Sequence, residues 1–365
     1  MKWHAAAHSK ETSMTFDNAV SRRAFVAGSS AAAVLASLPG GPAWAQQRKF
    51  TIMALGGSWG DAIKEHIARP FGQKAGVELA YDERPNAQQL AALQAMRANP
   101  SVDVVELGGP RLGQAIALDL IEPLDAQRMP NYAAVHPANK NKFYADRYVA
   151  PWALTFNTKS VEKARAEAEG WNLLLDRKLK GRVAIPKFGW MGEMWMNAAN
   201  LTLGGSYENF DPVVAFCRKI VRDNDGLVME SNDQGMKLFQ TGEIVAAPFW
   251  TGRTYQMADA KLSVDFVYPK GWVPYGGGFV IVKGTKNREL AEQLIELSLD
   301  PQVQVAFAKK FSYLTTNTKA AELVKDIERL RIATADMDKA VNLEYDKIYR
   351  FSDRNLERFN RDVVG

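Results

Sequence analysis

Trp59, Trp152, Trp190, Trp250 and Tyr275 fall in predicted loops or at predicted strand ends, where flat rings can line a cleft. Arg253 follows one of these strands in Trp250-Thr251-Gly252-Arg253, and a guanidinium in a desolvated cleft grips a carboxylate or phosphonate through two parallel hydrogen bonds. Gly57 and Ser58, just ahead of a predicted helix, can add backbone and hydroxyl donors for the same anion. Glu106 ends a strand that is otherwise apolar, and Gly108 in the turn after it completes the candidate binding set. If Glu106 and Arg253 face one cleft, the ligand carries one positive and one negative group. The alternatives are core packing for each ring, a structural salt bridge for Arg253, and pairing with Arg111 or capping at Gly108 for Glu106.

The residues that would make this an enzyme are not there in usable arrangements. No G-x-S-x-G elbow occurs, the glycine-rich stretches do not match a phosphate loop, and Asp103 and Glu106 at i and i+3 of a strand point to opposite faces. Cys217 stands alone in an apolar helical run and reads as a core filler. Past residue 45 the only histidines are His66 and His136, so zinc, iron–sulfur and haem sites lack their usual ligands and no cofactor is expected. A periplasmic hydrolase is therefore a remote alternative.

The first 45 residues read as an export signal. Ser21-Arg22-Arg23-Ala24-Phe25-Val26 places paired arginines before a short apolar run, and Ala43-Trp44-Ala45 is an A-x-A cleavage site. The twin arginines resemble the Tat signal, whose route exports folded proteins to the periplasm. This segment holds four of the 46 Lys and Arg and two of the 41 Asp and Glu. The remainder is close to neutral, which argues against a nucleic-acid partner. No later run is long and apolar enough for a membrane helix. About 320 residues remain, enough for two lobes of ordinary size.

Short apolar runs alternating with helical patterns predict an α/β fold of mixed sheets flanked by helices. Strands are expected at Phe50–Leu55, Val77–Tyr81 and Val102–Glu106, with a helix from about Asp61 stopped by Gly76 and another capped by Asn86. Tyr148–Asn157 and Tyr275–Val282 read as crossings between lobes. Between them lie strands at Arg182–Ile185, Glu243–Phe249 and Val264–Tyr268, with helices near Glu193–Leu203, Pro212–Asp223 and Asp233–Gln240. Asn287 and Asp300-Pro301 can start two further helices, and the pattern from Thr318 onward is helical, amphipathic and charged.

Taken in order, several segments resemble the type II periplasmic solute-binding proteins of the spermidine/putrescine-like group. They are Gly56-Gly57-Ser58-Trp59, Asp103-Val104-Val105-Glu106-Leu107, Lys180-Gly181-Arg182-Val183-Ala184-Ile185-Pro186, Gly242-Glu243-Ile244-Val245-Ala246, Trp250-Thr251-Gly252-Arg253, and Val280–Asn287 with Asp300-Pro301-Gln302-Val303-Gln304 behind it. The resemblance implies two α/β lobes joined by two or three crossing strands and closing by a hinge on a small-molecule solute. The protein would be a monomer that delivers its solute to ABC transporter permease subunits. Lobe 1 is expected at 46–152 with 279–320 and lobe 2 at 153–278, with helices of 321–365 packed over both.

Family members that bind polyamines surround the ammonium groups with carboxylates and stack the methylenes on rings. This chain keeps the rings but offers Arg253 where an acid is expected, and Tyr275-Gly276-Gly277-Gly278 has no acid at all. The departure favours a carboxylate-bearing or zwitterionic solute over spermidine or putrescine, the polyamine alternative. Arg84 and Asn86, and Trp190-Met191-Gly192-Glu193 from the second lobe, are weaker candidates for the rim.

Overall fold

Two ten-residue strands organise the sheet, because each is shared between two sets of neighbours. A computed structural model describes residues 48–365, so the expected export signal lies outside the described residues. β1 (Lys49–Ala54) runs parallel to β2 (Glu78–Glu83) on one side and β3 (Val104–Gly108) on the other. A short β4 (Ile121–Glu122) and then β5 (Tyr148–Asn157), β6 (Ala246–Trp250), β7 (Val264–Val267) and β8 (Val273–Val282) complete an eight-stranded mixed sheet.

The first halves of β5 and β8 pair antiparallel, Tyr148 opposite Gly277 and Trp152 opposite Val273. Their second halves part company. Residues 152–157 of β5 turn to β6 and β7, whereas residues 277–282 of β8 turn to β3 and β4. One continuous sheet therefore serves both ends of the molecule, with β5 and β8 as its shared middle. A third segment joins them where Leu314 exchanges backbone hydrogen bonds with Val149.

Within the compact unit Gln47–Gly365, buried side chains segregate accordingly. One core gathers residues from 150 to 273 together with Phe359 and Val363. Two others sandwich the β1–β3–β8 end. Phe279 and Ile281 belong to one and Val280 and Val282 to the other, as the two-residue period of a strand requires.

Four of the helices border the middle of the sheet, and a fifth packs behind two of them. α1 (Gly57–Ile63) starts earlier than expected and continues through a π-helical turn to Ala75, where Gly76 stops it in the left-handed region at φ 65°. α2 (Pro110–Ala117) follows β3, α3 (Glu193–Thr202) follows a second π-helical turn, and α4 (Thr251–Asp259), not foreseen, follows β6 at once. α5 (Tyr345–Arg358) lies near the C-terminus and packs against α2 and α3.

Asp300 caps its helix as expected, accepting from the Gln302 and Val303 amides at 2.8 and 3.4 Å. Asn287 occupies the cap position of its helix, but its amide instead ties the Lys49 carbonyl to the Asp103 carboxylate. Pro85, rather than Asn86, stands at the cap of the Asn86–Ala95 helix. Cys217 is buried, and burial raises its thiol pKa far above the usual range.

Candidate functional site

A cavity of about 640 Å³ opens over the shared middle of the sheet. α1 and α2 reach it from one end of the sheet, α3 and α4 from the other. Of the ten residues singled out from the sequence, Ser58, Trp59, Gly108, Trp190, Trp250, Arg253 and Tyr275 line it. Gly57, Glu106 and Trp152 do not.

Glu106 is consumed inside the protein. Strand alternation puts it on the same face of β3 as Val104, toward the core that holds Phe279 and Phe307. There it is 4% exposed, and Arg147, 2% exposed, reaches it through Nε at 3.0 Å and also through Nη2. The guanidinium lies among rings, 4.3 Å from the Phe307 centroid and 4.8 Å from that of Trp59. Trp59 Nε1 donates to the other oxygen of Glu106 at 2.8 Å. Glu106 thus pairs neither with Arg111 nor with a ligand; it fixes the plane of a ring that lines the cavity.

Trp152 shares the face of β5 that carries Tyr148 and Ala150 into the cavity, but it lies further along and is fully covered. Trp250 crosses it edge-on at 4.6 Å and Trp190 at 5.8 Å. Its role is to support those two rings. Gly57 adopts φ 62° at the start of α1 and faces open space.

The rings form an unbroken series over the sheet. Trp59 meets Tyr148 at 4.8 Å, Tyr148 meets Tyr275 at 6.5 Å, and Tyr275 meets Trp250 at 5.3 Å. Tyr313 stacks on Tyr148 at 5.6 Å and 22°. Gly108 is needed for this packing. A Cβ there would sit 2.4 Å from the Tyr275 hydroxyl and 2.9 Å from the Gly276 carbonyl oxygen.

Tyr148 and Tyr313 were missed from the sequence. Tyr148 opens an apolar strand and looked like part of it. Tyr313 is brought in by Ser312, whose left-handed φ of 54° ends the Pro301–Phe311 helix and turns the chain onto Val149.

The charged lining is mixed. Arg253, in the first turn of α4, donates to Gln256 Oε1 at 2.8 Å, and Arg111, in the first turn of α2, donates to Gln114 Oε1 at 2.6 Å. Neither has a carboxylate within ion-pair distance among the described residues. Two guanidiniums held by neutral amides keep their charge for something else.

Of the cavity carboxylates, Asp259 is already clasped by both Nη atoms of Arg329 at 2.9 and 3.0 Å. Glu193, the first residue of α3, is the other. Burial raises its pKa, while a hydrogen bond from the Ser352 hydroxyl and the charge of Arg111 act in the opposite sense. Asn232 adds a buried side-chain oxygen with no hydrogen-bond donor. Arg84 pairs with Asp82 at 2.8 Å, outside the cavity lining.

Residues 66–335 match the model of the bacterial extracellular solute-binding proteins. The chain belongs to that family. It is 25% identical over 320 residues to the gamma-aminobutyric acid-binding protein of Pseudomonas aeruginosa, covering 83% of this chain and 88% of that one. To the putrescine/cadaverine-binding protein of the same organism it is 26% identical over 318 residues, covering 79% and 86%. The crystal structure of an ABC transporter protein from Clostridium perfringens superposes with TM-score 0.73 at 20% identity, covering 86% of this chain and 99% of that one. The fold is therefore the two-lobed α/β fold of the periplasmic binding proteins, and the chain is a solute-binding receptor for a small polar ligand. Among the described residues no helix is long and apolar enough to cross a membrane.

Proposed function

We propose that this protein captures a small zwitterionic solute, a carboxylate carrying an amine a few bonds away, and delivers it to an ABC importer. The carboxylate is taken by Arg253 and Arg111, the amine by Glu193, and the methylenes between them lie against Tyr148, Tyr275 and Trp250. The observation that carries this reading is the pair of guanidiniums in the cavity whose side-chain partners are glutamines rather than acids. A polyammonium ligand would have to bury its charge beside both. The gamma-aminobutyric acid-binding relative supports the same ligand class.

Closure would run about β5 and β8, with lobe 1 comprising 46–152 and 279–320 and lobe 2 comprising 153–278. From the shared middle of the sheet the two strands lead to different cores, which supports it as the place of bending. Residues 1–45 act as a twin-arginine signal for export to the periplasm. The receptor works as a monomer, without a cofactor and without catalysis.

Thermal melting against amino acids, ω-amino acids, dicarboxylates, phosphonates and diamines tests the ligand class. A ligand at 100 times its Kd adds about 2.7 kcal/mol to stability. The putrescine/cadaverine-binding relative supports a second reading, in which Glu193 and Asp259 hold a diamine. A shift with diamines alone establishes that reading and removes the zwitterion.

A further inference from the structure

α5 touches both sides of the cavity from behind. Its first residue, Tyr345, lies so close to α2 that a Cβ on Gly113 would sit 2.7 Å from the Tyr345 carbonyl carbon. Two turns later Ser352 donates its hydroxyl to Glu193 Oε1 at the start of α3. One helix near the C-terminus therefore rests on the helix that carries Arg111 and holds the carboxylate of the helix opposite. We infer that Ser352 is a positioning residue, which aims the Glu193 carboxylate into the cavity and so makes α5 a determinant of selectivity for amine-bearing over amine-free carboxylates. The inference rests on the zwitterion reading above.

The physical case is that Glu193 stands in a desolvated wall where little favours its ionised form. Ser352 and Arg111 favour that form, while burial and the charge of Asp353 oppose it. Arg111 also lines the cavity, so a ligand carboxylate competes for it and weakens its support of Glu193 once the site is filled. Ser352 faces no such competition. Asn197 holds only the backbone of Glu193, through its carbonyl oxygen, and does not orient the carboxylate.

Ser352→Ala and Ser352→Thr, each in the full chain, test this with two probes, 4-aminobutanoate and butanoate. Calorimetry from pH 5 to 8 is expected to show Ser352→Ala binding 4-aminobutanoate about 10-fold more weakly, with the low-pH loss of affinity moved to higher pH. Butanoate affinity stays unchanged, and threonine restores the wild-type profile. In ligand-free protein the Glu193 carboxyl, followed by carbon-13 NMR, titrates at higher pH in Ser352→Ala than in wild type. An identical Glu193 titration in the two proteins overturns the positioning role whatever the ligand is. A wild-type protein that binds butanoate as well as 4-aminobutanoate, or binds neither, overturns the zwitterion reading and the selectivity role with it, even where the titration moves.

Discussion

Glu106 and Arg147 are joined 41 residues apart in the chain by a hydrogen-bonded ion pair with almost no exposure to water, and Trp59 hangs from the free oxygen of the same carboxylate. The pair links the middle of β3 to the residue just ahead of β5, two strands that meet only through β8. It is placed to hold a cavity ring still rather than to meet a ligand.

Breaking this pair strands a buried charge. Arg147→Met should lower stability by about 3–5 kcal/mol, as removal of one partner of a buried ion pair does. Replacing both, as Arg147→Met with Glu106→Leu, should recover much of that loss, because neither charge then remains. Urea unfolding midpoints at constant m-value report it. A double variant as unstable as the single one would show that the loss comes from packing around the Trp59 ring.

Arg253 and Arg111 should be dispensable for folding and needed for binding. Each side chain is part-exposed and has a neutral amide partner, so Arg253→Gln or Arg111→Gln should shift stability by no more than about 0.5 kcal/mol. A hydrogen bond to a charged group is worth about 1.5–3 kcal/mol, so affinity for a carboxylate ligand should fall roughly 10- to 100-fold. Calorimetric titration of the best ligand from the melting panel measures it. Undiminished affinity in both variants places the anion elsewhere.

The strands that frame the cavity were legible in the sequence because apolar, β-branched runs such as Phe279-Val280-Ile281-Val282 leave few other options. The turn residues were equally plain, Gly76 and Asp300 among them. What could not be read was where along each strand the cavity begins. Glu106 and Trp152 lie inside their strands, each next to a cavity ring, Trp59 for the first and Trp250 for the second, and neither reaches the cavity itself. Arg147 and Ser352 were invisible for another reason. Their partners, Glu106 and Glu193, lie 41 and 159 residues away, and nothing local marks either one.

Part of the need for Gly108 should come from the Tyr275 hydroxyl. Gly108→Ala places a methyl 2.4 Å from that oxygen and 2.9 Å from the Gly276 carbonyl, so it should destabilise by about 1–3 kcal/mol and displace a cavity ring. Tyr275→Phe removes the closest conflict and leaves the ring carbon that bore the hydroxyl, at 2.8 Å. In a double-mutant cycle the pair should cost less than the sum of the single changes, and ligand affinity should return in part. Strict additivity would mean that the ring carbon and the Gly276 backbone, not the hydroxyl, decide the cost.

Asp146, at the head of β5, makes stability depend on pH. Its carboxyl is buried near Asn139, Gly276 of β8 and the phenols of Tyr144, Tyr275 and Tyr345, and burial pushes its pKa up to about 7. A raised acid pKa means that the folded state holds its proton more tightly than the unfolded chain. Its contribution is then complete below about pH 4 and is lost progressively as pH rises to about 7. At 1.36 kcal/mol per unit the loss approaches about 4 kcal/mol. Asp146→Asn cannot ionise, so its stability relative to wild type should improve between pH 5 and pH 8, by urea unfolding at each pH. A constant difference across that range would show that the carboxyl stays in one protonation state. Because Gly276 and Tyr275 belong to the strand about which closure would run, ligand affinity measured on the same two proteins should lose part of its pH dependence in the asparagine variant.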